Sequence, residues 1–320
     1  MTKKYIVAAL TVCMAVALFA LSACGKSALR FVTGGESGTY YAVGQVIAGD
    51  WTGNTDVKVS ALVGNGSQAN VVALKDKDAE LAFCQSDVMA YAYTGTNLFA
   101  EQGAITNFST LGALYMEQVQ IVTCDPTIKT VADLKGKVVS VGSAGSGVYF
   151  NAIDVLKAYG LTLDDITPSY QSFGDSADSL TNGQIDAAFI VAGAPTSAIT
   201  NLSTTKQAYL VALDDAHVTQ LMASSPYYSK SVIKAGTYKG IDTDITTVAV
   251  GAVILVRDDV SEDQVYAITA RLFDNLKALE SSHAKFAEMS IEFGASVTSV
   301  PYHPGAAKYF AEKGITVPVK

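Results

Sequence analysis

The segment Ser37-Gly38-Thr39-Tyr40-Tyr41 begins a predicted helix, and the similar segment Ser146-Gly147-Val148-Tyr149-Phe150 begins another in the second half of the chain. Each is followed by a helix-to-strand stretch of equal length, residues 74–83 in the first case and 180–189 in the second. Self-similarity along a chain is typical of repeated structural units. The sequence therefore predicts two similar α/β lobes; the alternative is a coincidence among common Ser, Gly and Tyr residues.

Apolar and β-branched runs predict the strands that lie between these helices. In the first lobe they cover residues 29–34, 57–63, 80–84 and 109–114, with helices over 41–51 and 68–75. A strand over 119–124 leaves this lobe, strands over 137–142, 167–172 and 186–191 form the second, and a strand over 246–256 returns. Strands that alternate with helices indicate a mostly parallel sheet in each lobe.

The C-terminal part predicts two helices that cover the first lobe. Ser261 and Gln264 fit a capping box, and apolar residues then recur at helical spacing as far as Leu279, which predicts one long amphipathic helix. Pro304 begins a last helix that Gly314 ends.

The N-terminus has the pattern of an export signal. Lys3 and Lys4 precede an uncharged apolar run over 5–20, and small residues stand directly before Cys24 as in a bacterial lipobox. We expect a signal peptide over 1–23, lipidation of Cys24, a linker over 24–28, and an extracytoplasmic protein tethered to the cell membrane or periplasmic face by its lipid. An ordinary secretory signal and an uncleaved anchor are the alternatives.

Charge and composition exclude several function classes. The mature chain carries a formal charge of −10, from 20 basic and 30 acidic residues, and no basic cluster. It therefore lacks the electrostatic footprint of nucleic-acid binding. Cys84 and Cys124 are expected to be small buried thiols, with a single disulfide as the alternative.

We find no pattern of catalytic or metal-binding residues. His217, His283 and His303 have no metal-ligand spacing, and neither a Walker loop nor a G-x-S-x-G elbow occurs. The sequence therefore predicts a binding protein without metal, cofactor or enzymatic activity.

The loops at helix starts are the candidate ligand-binding elements. Unpaired backbone N–H groups and the helix dipole favour an anion there, and hydroxyl groups add further donors. The strand ends and one aromatic residue complete the predicted site; tight turns, helix capping by Asp87 and aromatic packing are the alternatives. The candidate ligand-binding residues are Ser37, Gly38, Thr39, Tyr40, Tyr41, Asn65, Gly66, Ser67, Gln85, Ser86, Asp87, Ser143, Gly145, Ser146, Gly147, Val148, Phe173, Gly193, Ala194 and Pro195.

The first loop, Thr33-Gly-Gly-Glu-Ser-Gly-Thr-Tyr-Tyr41, resembles the N-terminal signature of TAXI-type solute receptors, the extracytoplasmic binding proteins of TRAP transporters. Further family-like segments follow in the expected order, and the resemblance covers residues 29–314. These segments are Gly66-Ser67 with Asn70, Gln85-Ser86-Asp87, Leu134-Lys-Gly136-Lys137, Gly145-Ser-Gly147, Pro226-Tyr-Tyr228 and Gly236-Thr-Tyr238.

The resemblance implies a two-lobed periplasmic-binding-protein type II fold, with one lobe over 29–120 and 251–320 and the other over 121–250. It also implies a ligand of the glutamate, glutamine or 2-oxo-dicarboxylate type, delivered to an integral membrane TRAP permease. Val148 departs from the Thr that is commoner in the second loop, and Glu117 has no assigned role. A sensory binding lipoprotein and a secreted enzyme on the same scaffold are the competing interpretations.

Overall fold

The computed structural model describes residues 28–320, and the predicted signal segment and Cys24 lie outside this range. Among the described residues, no helix combines the length and apolar character needed to cross a bilayer. Cys84 is buried, Cys124 is half-buried, and both are free thiols.

The first lobe alternates strands with helices, as the periodicity predicts. Its elements are β1 (Leu29–Val32), α1 (Thr39–Asn54), β2 (Val59–Leu62), α2 (Ser67–Lys75), β3 (Leu81–Gln85) and α3 (Ser86–Thr94). β1 lies between β2 and β3 and is parallel to both, with Leu29 opposite Val59 and Phe31 opposite Leu81. The carboxyl ends of the three strands therefore meet at one edge of the sheet.

Two long strands cross between the lobes. β4 (Phe108–Thr123) is one uninterrupted strand of 16 residues, so the prediction of two separate strands over 109–114 and 119–124 is wrong. The strand continues through Glu117 and Gln118 because β10 (Ile245–Arg257) pairs with it there, at Val250 and Ala249. β10 runs antiparallel to β4 with register shifts after Ala252 and Ile254, and it confirms the predicted return strand.

The second lobe repeats the order of the first. Its elements are β5 (Val138–Ser140), α4 (Val148–Ala158), β6 (Thr167–Ser169), α5 (Phe173–Thr181), β7 (Ala187–Ala192), α6 (Ser197–Thr205), β8 (Tyr209–Val211), α7 (Asp215–Ser224) and β9 (Ser229–Ile233). β5 is parallel to both β6 and β7, as β1 is to β2 and β3.

All ten strands of the described chain belong to one sheet. The order β2-β1-β3-β10-β4-β7-β5-β6 places β4 and β10 in the middle, with β8 beside β4 and β9 beside β10. From the outer edge inward, the strands of the first lobe have the order β2-β1-β3 and those of the second lobe have the equivalent order β6-β5-β7. The predicted α/β class, with two similar and mostly parallel halves, is confirmed.

The C-terminal helices pack on the first lobe. They are α8 (Glu262–Asp274), α9 (Leu276–Leu279), α10 (Ile291–Gly294) and α11 (Pro304–Glu312), and α11 packs directly on α8. Ser261 caps α8 by accepting from the backbone N–H of Gln264, as predicted. The helix ends at Asp274 rather than near Leu279, because Asn275 leaves the helical conformation and its side chain reaches Asp50.

The buried side chains form separate cores in the two lobes. One cluster surrounds Trp51 and Phe83 under the first sheet half and the C-terminal helices. Two others lie on either side of the second half, around Leu156 and Ile199. The predicted domain boundaries at residues 120 and 250 fall within β4 and β10 and stay a prediction.

Candidate functional site

A cavity of about 310 Å³ lies between the two lobes, where the repeated loops face each other. Both the 37–40 loop and the 143–148 loop contribute to its wall, together with the strand end at Gln85. The parallel strands of each lobe direct these loops to the same gap. The site is thus a cross-lobe cleft, the usual place for a ligand in this class of fold.

Three helices begin at the cavity with neither a side-chain cap nor an acidic residue in the first turn. The residues before α1, α2 and α4 are Gly38, Gly66 and Gly147, and no Asp or Glu occurs in any of the three first turns. By contrast, Ser172 caps α5 by accepting from the backbone N–H of Asp175. Uncapped helix starts present N–H groups and the positive end of the helix dipole, and therefore favour a negatively charged ligand.

Ser146 supplies a hydroxyl group that has no partner in the described part of the chain. The residue is 5% exposed and lines the cavity, and its Oγ forms no hydrogen bond. A buried hydroxyl without a partner costs stability, so such groups are commonly satisfied by something the cavity holds. Ser146 therefore indicates a polar ligand.

The structure places twelve of the predicted residues at this cavity. They are Ser37, Gly38, Tyr40, Asn65, Gly66, Ser67, Gln85, Ser143, Ser146, Gly147, Val148 and Phe173. They come from five separate segments of sequence, and only the fold brings them together. Their contact with a ligand stays a prediction.

The other predicted residues do not line the cavity, and several of them form hydrogen bonds elsewhere. Thr39 donates to the Gly193 carbonyl at 2.8 Å, and Ser86 Oγ accepts from the Gly251 N–H at 2.9 Å. The Ala194 N–H donates to Gln118, and Pro195 is exposed at the surface. The residues outside the wall are Thr39, Tyr41, Ser86, Asp87, Gly145, Gly193, Ala194 and Pro195.

Several wall residues were not predicted. Most of them continue loops that the sequence had indicated, and a wider margin around those loops would have included them. Glu117 is different, because it lies on a buried strand without any motif. The unpredicted wall residues are Gly34, Gly35, Glu36, Val63, Gly64, Glu117, Ser172, Val191 and Ala192.

The two lobes are in direct contact around the cavity, so the structure is a closed form. The Ala69 N–H donates to the Gly145 carbonyl at 2.9 Å, and the Ala198 N–H donates to the Ser37 carbonyl at 3.2 Å. A Cβ atom at Gly147 would lie 1.4 Å from Gln85 Oε1. Gly147 thus allows the second lobe to approach the first at the cavity wall.

A buried polar network continues from the cavity into the protein. Gln85 Nε2 donates to Asn151 Oδ1 at 2.8 Å, and Asn151 Nδ2 lies 2.9 Å from Asp87 Oδ2 and 2.8 Å from the Tyr228 hydroxyl oxygen. Tyr228 in turn donates to Asp154 at 2.9 Å. Burial raises the pKa of Asp87 to about 6. The network joins the lobes, and it explains why Asp87 is absent from the cavity wall.

Glu117 is a nearly buried carboxyl group at the cavity, 2% exposed, on β4 between the lobes. The Tyr40 hydroxyl donates to its Oε2 at 2.5 Å. Burial is the main effect on this group and raises the pKa of Glu117 to about 8. Of the residues that line the cavity, all from the described range 28–320, none is Lys, Arg or His.

Within the described residues, no group of three or more His, Cys, Asp or Glu side chains is placed to hold a metal ion. The polar groups of the cleft are hydroxyls, amides and two carboxyls, Glu36 and Glu117. Their chemistry suits the recognition of a small polar molecule.

Comparison with solved structures identifies the fold. The alkanesulfonate-binding protein SsuA from Xanthomonas axonopodis pv. citri, bound to MOPS, has 19% identity and a TM-score of 0.51, with 90% of this chain and 85% of that chain covered. PhnD1 from Prochlorococcus marinus, in complex with methylphosphonate, has 12% identity and a TM-score of 0.55, with coverages of 82% and 91%. A binding protein component of an ABC phosphonate transporter from Pseudomonas aeruginosa has 12% identity and a TM-score of 0.51, with coverages of 82% and 80%.

These similarities confirm the predicted two-lobed periplasmic-binding-protein fold. A sequence model described as the NMT1-like family matches residues 31–314, nearly the whole of the described chain. This agrees with the predicted solute-receptor class at the level of the fold, while the narrower TAXI assignment stays a prediction. The chain therefore belongs to the NMT1-like family.

Proposed function

We propose that this protein is an extracytoplasmic solute-binding receptor that captures a small organic anion or amino acid in the cleft between its lobes. The observation that carries this proposal is the meeting of three uncapped helix starts, at Gly38, Gly66 and Gly147, at one cavity. The unpartnered hydroxyl of Ser146 at the same wall supports it. A site of this kind holds an anion by amide and hydroxyl donors.

The donors at the wall favour an acidic ligand, and the resemblance of the first loop to TAXI-type receptors suggests which acids. Since no Lys, Arg or His of the described chain lines the cavity, a bound carboxylate depends on backbone N–H groups and hydroxyls such as Ser146. We propose ligands of the glutamate, glutamine or 2-oxo-dicarboxylate type. The structurally similar proteins bound to MOPS and methylphosphonate carry acidic ligands, which supports an anion in this fold.

We propose that ligand binding stabilises the closed form, and that a membrane permease recognises this form. A ligand that contacts both lobes shifts the population toward closure. The direct contacts between the Gly145 and Ala69 segments and between the Ser37 and Ala198 segments would then form only with the cleft closed.

Isothermal titration calorimetry tests the binding proposal. The titrants are L-glutamate, L-glutamine, L-aspartate, C4–C6 dicarboxylates, 2-oxoglutarate, methylphosphonate and methanesulfonate. We expect at least one acid to bind, with small-angle X-ray scattering showing a more compact protein in its presence. Absence of binding across the panel, with a cooperatively folding protein, would contradict the proposal. Mass spectrometry of the recovered ligand after overnight incubation distinguishes binding from turnover.

The partner is proposed to be a TRAP-type permease, in keeping with the resemblance of the first loop. Uptake of the bound acid into cells or proteoliposomes containing the cognate permease tests this. Uptake that depends on an ion gradient supports a TRAP system, whereas uptake that depends on ATP supports an ABC system. Ligand binding without any uptake would favour the sensory interpretation.

Lipid anchoring through Cys24 is also a proposal, since Cys24 lies outside the described residues. We expect the wild-type protein to incorporate a radiolabelled fatty acid and to sediment with membranes. The Cys24→Ala variant should lose both properties. Labelling of this variant equal to that of the wild type would exclude the anchor.

A further inference from the structure

Glu117 is a carboxyl group in the wall of a cavity whose helix starts favour an anion. It lies on β4 opposite Val250 of β10, at the junction of the two lobes. Tyr40 donates to Oε2, and this is the one hydrogen bond of the Glu117 side chain within residues 28–320. Because the residue lines the cavity, Oε1 is the atom available to a ligand.

The ionisable groups around Glu117 come from four neighbouring elements and from β4 itself. Burial raises the pKa values of Tyr40, Cys84 and Tyr115, so these three groups stay neutral. Asp87 at the start of α3 adds negative charge. Lys285, from the short turn Ala284–Glu288, is the nearby cation, but its ammonium lies 2.6 Å from Glu288.

An ionised Glu117 would conflict with the rest of the site. It would place a second buried negative charge beside the anion that the three helix starts favour, with no cation among the wall residues described. Burial is the largest influence on the pKa of Glu117 and raises it, and Asp87 adds to this. The hydrogen bond from Tyr40 and the charge of Lys285 lower the pKa by less. The arrangement therefore favours the neutral acid.

We propose that Glu117 binds the ligand as a neutral carboxylic acid, whose Oε1 donates a hydrogen bond to a ligand oxygen. The site would then select acids that present a carbonyl, hydroxyl or second carboxyl oxygen there, and reject ligands that present an ammonium group. This inference rests on the proposed function, and it narrows the ligand class toward oxo and hydroxy acids.

Proton linkage follows from this assignment. Ligand binding above the midpoint of the Glu117 titration requires uptake of a proton, and affinity then falls about tenfold for each pH unit. A ligand ammonium that needed the ionised carboxylate would instead cause proton release near pH 7. The sign of the proton exchange therefore separates the two arrangements.

A ligand-free measurement first tests the protonation of Glu117. Protein labelled with ¹³C at the glutamate side-chain carboxyl is titrated by NMR, and the Glu117 signal is assigned by its absence in Glu117→Gln. We expect this signal to titrate above pH 7. A midpoint in the ordinary range of glutamate would overturn the inference and leave the proposed function standing.

Binding is then compared for 2-oxoglutarate and L-glutamate, which differ only in the oxo or ammonium group at one carbon. Calorimetry at pH 8.5 in buffers of different ionisation enthalpy should show proton uptake with 2-oxoglutarate, and its affinity should exceed that of L-glutamate by at least tenfold. Proton release, or preference for L-glutamate, would overturn the inference. Binding of neither acid, or of any other in the panel, would overturn the proposed function instead.

Two variants complete the test. Glu117→Gln keeps a donor at this position that does not titrate, so its affinity for 2-oxoglutarate should not change between pH 6 and pH 9. Glu101→Gln removes an exposed carboxyl outside the cavity wall and should keep the wild-type pH dependence. A pH dependence unchanged in Glu117→Gln would contradict the assignment.

Discussion

The two lobes share a topology but treat their helix starts differently. In the first lobe both α1 and α2 begin at the cavity with neither a side-chain cap nor an acidic residue in the first turn, whereas α3 has Asp87 there. In the second lobe only α4 does so, because Ser172 caps α5. Two N–H-rich helix ends therefore face the ligand from the first lobe and one from the second. The comparison indicates that the first lobe makes most of the electrostatic contribution to binding, while the second completes the site on closure.

The ends of the third strands also differ between the lobes. After β3 the long side chain of Gln85 reaches across the gap and lies against Gly147. After β7 the backbone turns at Gly193, whose carbonyl accepts from Thr39 of the first lobe. A Cβ atom at Gly193 would lie 2.6 Å from Lys285 Cε and 3.2 Å from Thr39 Cγ2. In both places a glycine of the second lobe leaves room for a side chain of the first lobe.

Gly147→Ala should prevent full closure of the cleft and have the largest effect on ligand affinity. The residue has an ordinary right-handed helical conformation, so alanine fits locally, and the conflict with Gln85 arises only when the lobes meet. We expect ligand affinity to fall about 100-fold, or about 3 kcal/mol.

Calorimetry measures this loss, and scattering in the presence of ligand should show a less compact variant. Gly49→Ala is the matched control, since a Cβ atom at Gly49 on α1 meets nothing within 4 Å. Wild-type affinity in Gly147→Ala would show that Gln85 moves aside and that the glycine is not required for closure.

Glu117→Gln should change the pH dependence of stability. A carboxyl whose pKa is raised to about 8 keeps its proton in the folded protein at pH values where the unfolded chain has lost it. Stability therefore falls as pH rises from about 5 to about 8, by up to about 1.4 kcal/mol per pH unit. We expect the ligand-free variant to be more stable than the wild type at pH 8, by about 4 kcal/mol, and similar to it at pH 5.

Urea denaturation at a series of pH values measures this difference. Glu101→Gln, at an exposed site, should follow the wild-type curve. Asp87 contributes a similar trend up to its pKa of about 6 in every variant. Parallel curves for Glu117→Gln and the wild type would show that Glu117 is ionised in the folded protein.

Ser146→Ala and Ser67→Ala compare a serine of the second lobe that is expected to bind ligand with a serine of the first lobe that is expected to stabilise the fold. Ser146 Oγ has no partner among the described residues, whereas Ser67 Oγ accepts from the Gln85 N–H at 3.0 Å. We expect Ser146→Ala to lower ligand affinity about tenfold with little change in stability. Ser67→Ala should cost about 1 kcal/mol of stability by leaving a buried N–H unpaired.

Calorimetry and thermal denaturation on both variants provide the two measurements, and each serine is the control for the other. An equal loss of stability in the two variants would indicate that Ser146 has a structural role. Unchanged affinity in Ser146→Ala would place the ligand away from this hydroxyl.

Thr39→Val should have the smallest effect on ligand affinity. It removes the cross-lobe hydrogen bond to Gly193 while keeping the volume of the side chain. We expect affinity to fall about fivefold, or about 1 kcal/mol, because the bond forms only in the closed state. Thr243→Val, at an exposed position, is the control for calorimetry. An affinity equal to that of the control would show that this bond does not contribute to closure.

The sequence predicted those features that depend on local pattern. Small-residue loops before helices identified Ser37, Gly66 and Ser146, since a helix start is recognisable from its own residues. The break expected between residues 114 and 119 was wrong, because pairing with the distant strand β10 carries β4 through Glu117 and Gln118. Tertiary pairing of that kind leaves no local signal.

The cross-lobe contacts could not be predicted for a similar reason. Asn151 bonds with Gln85 and Asp87, more than sixty positions away in the chain, and no motif marks it. Thr39 was expected to face the ligand, but its hydroxyl points to Gly193. Which side of a loop faces the cavity depends on how the lobes meet, and a single loop sequence contains no information about that.

The sheet order has a consequence for folding. β3 pairs with β1 over only two residues, and its other neighbour is β10, which comes more than 150 residues later in the chain. The first lobe is thus assembled from both ends of the chain, whereas β5, β6 and β7 of the second lobe are contiguous. Contacts between distant segments slow folding, so β1–β3 should acquire hydrogen-exchange protection last, after the later-synthesised second lobe.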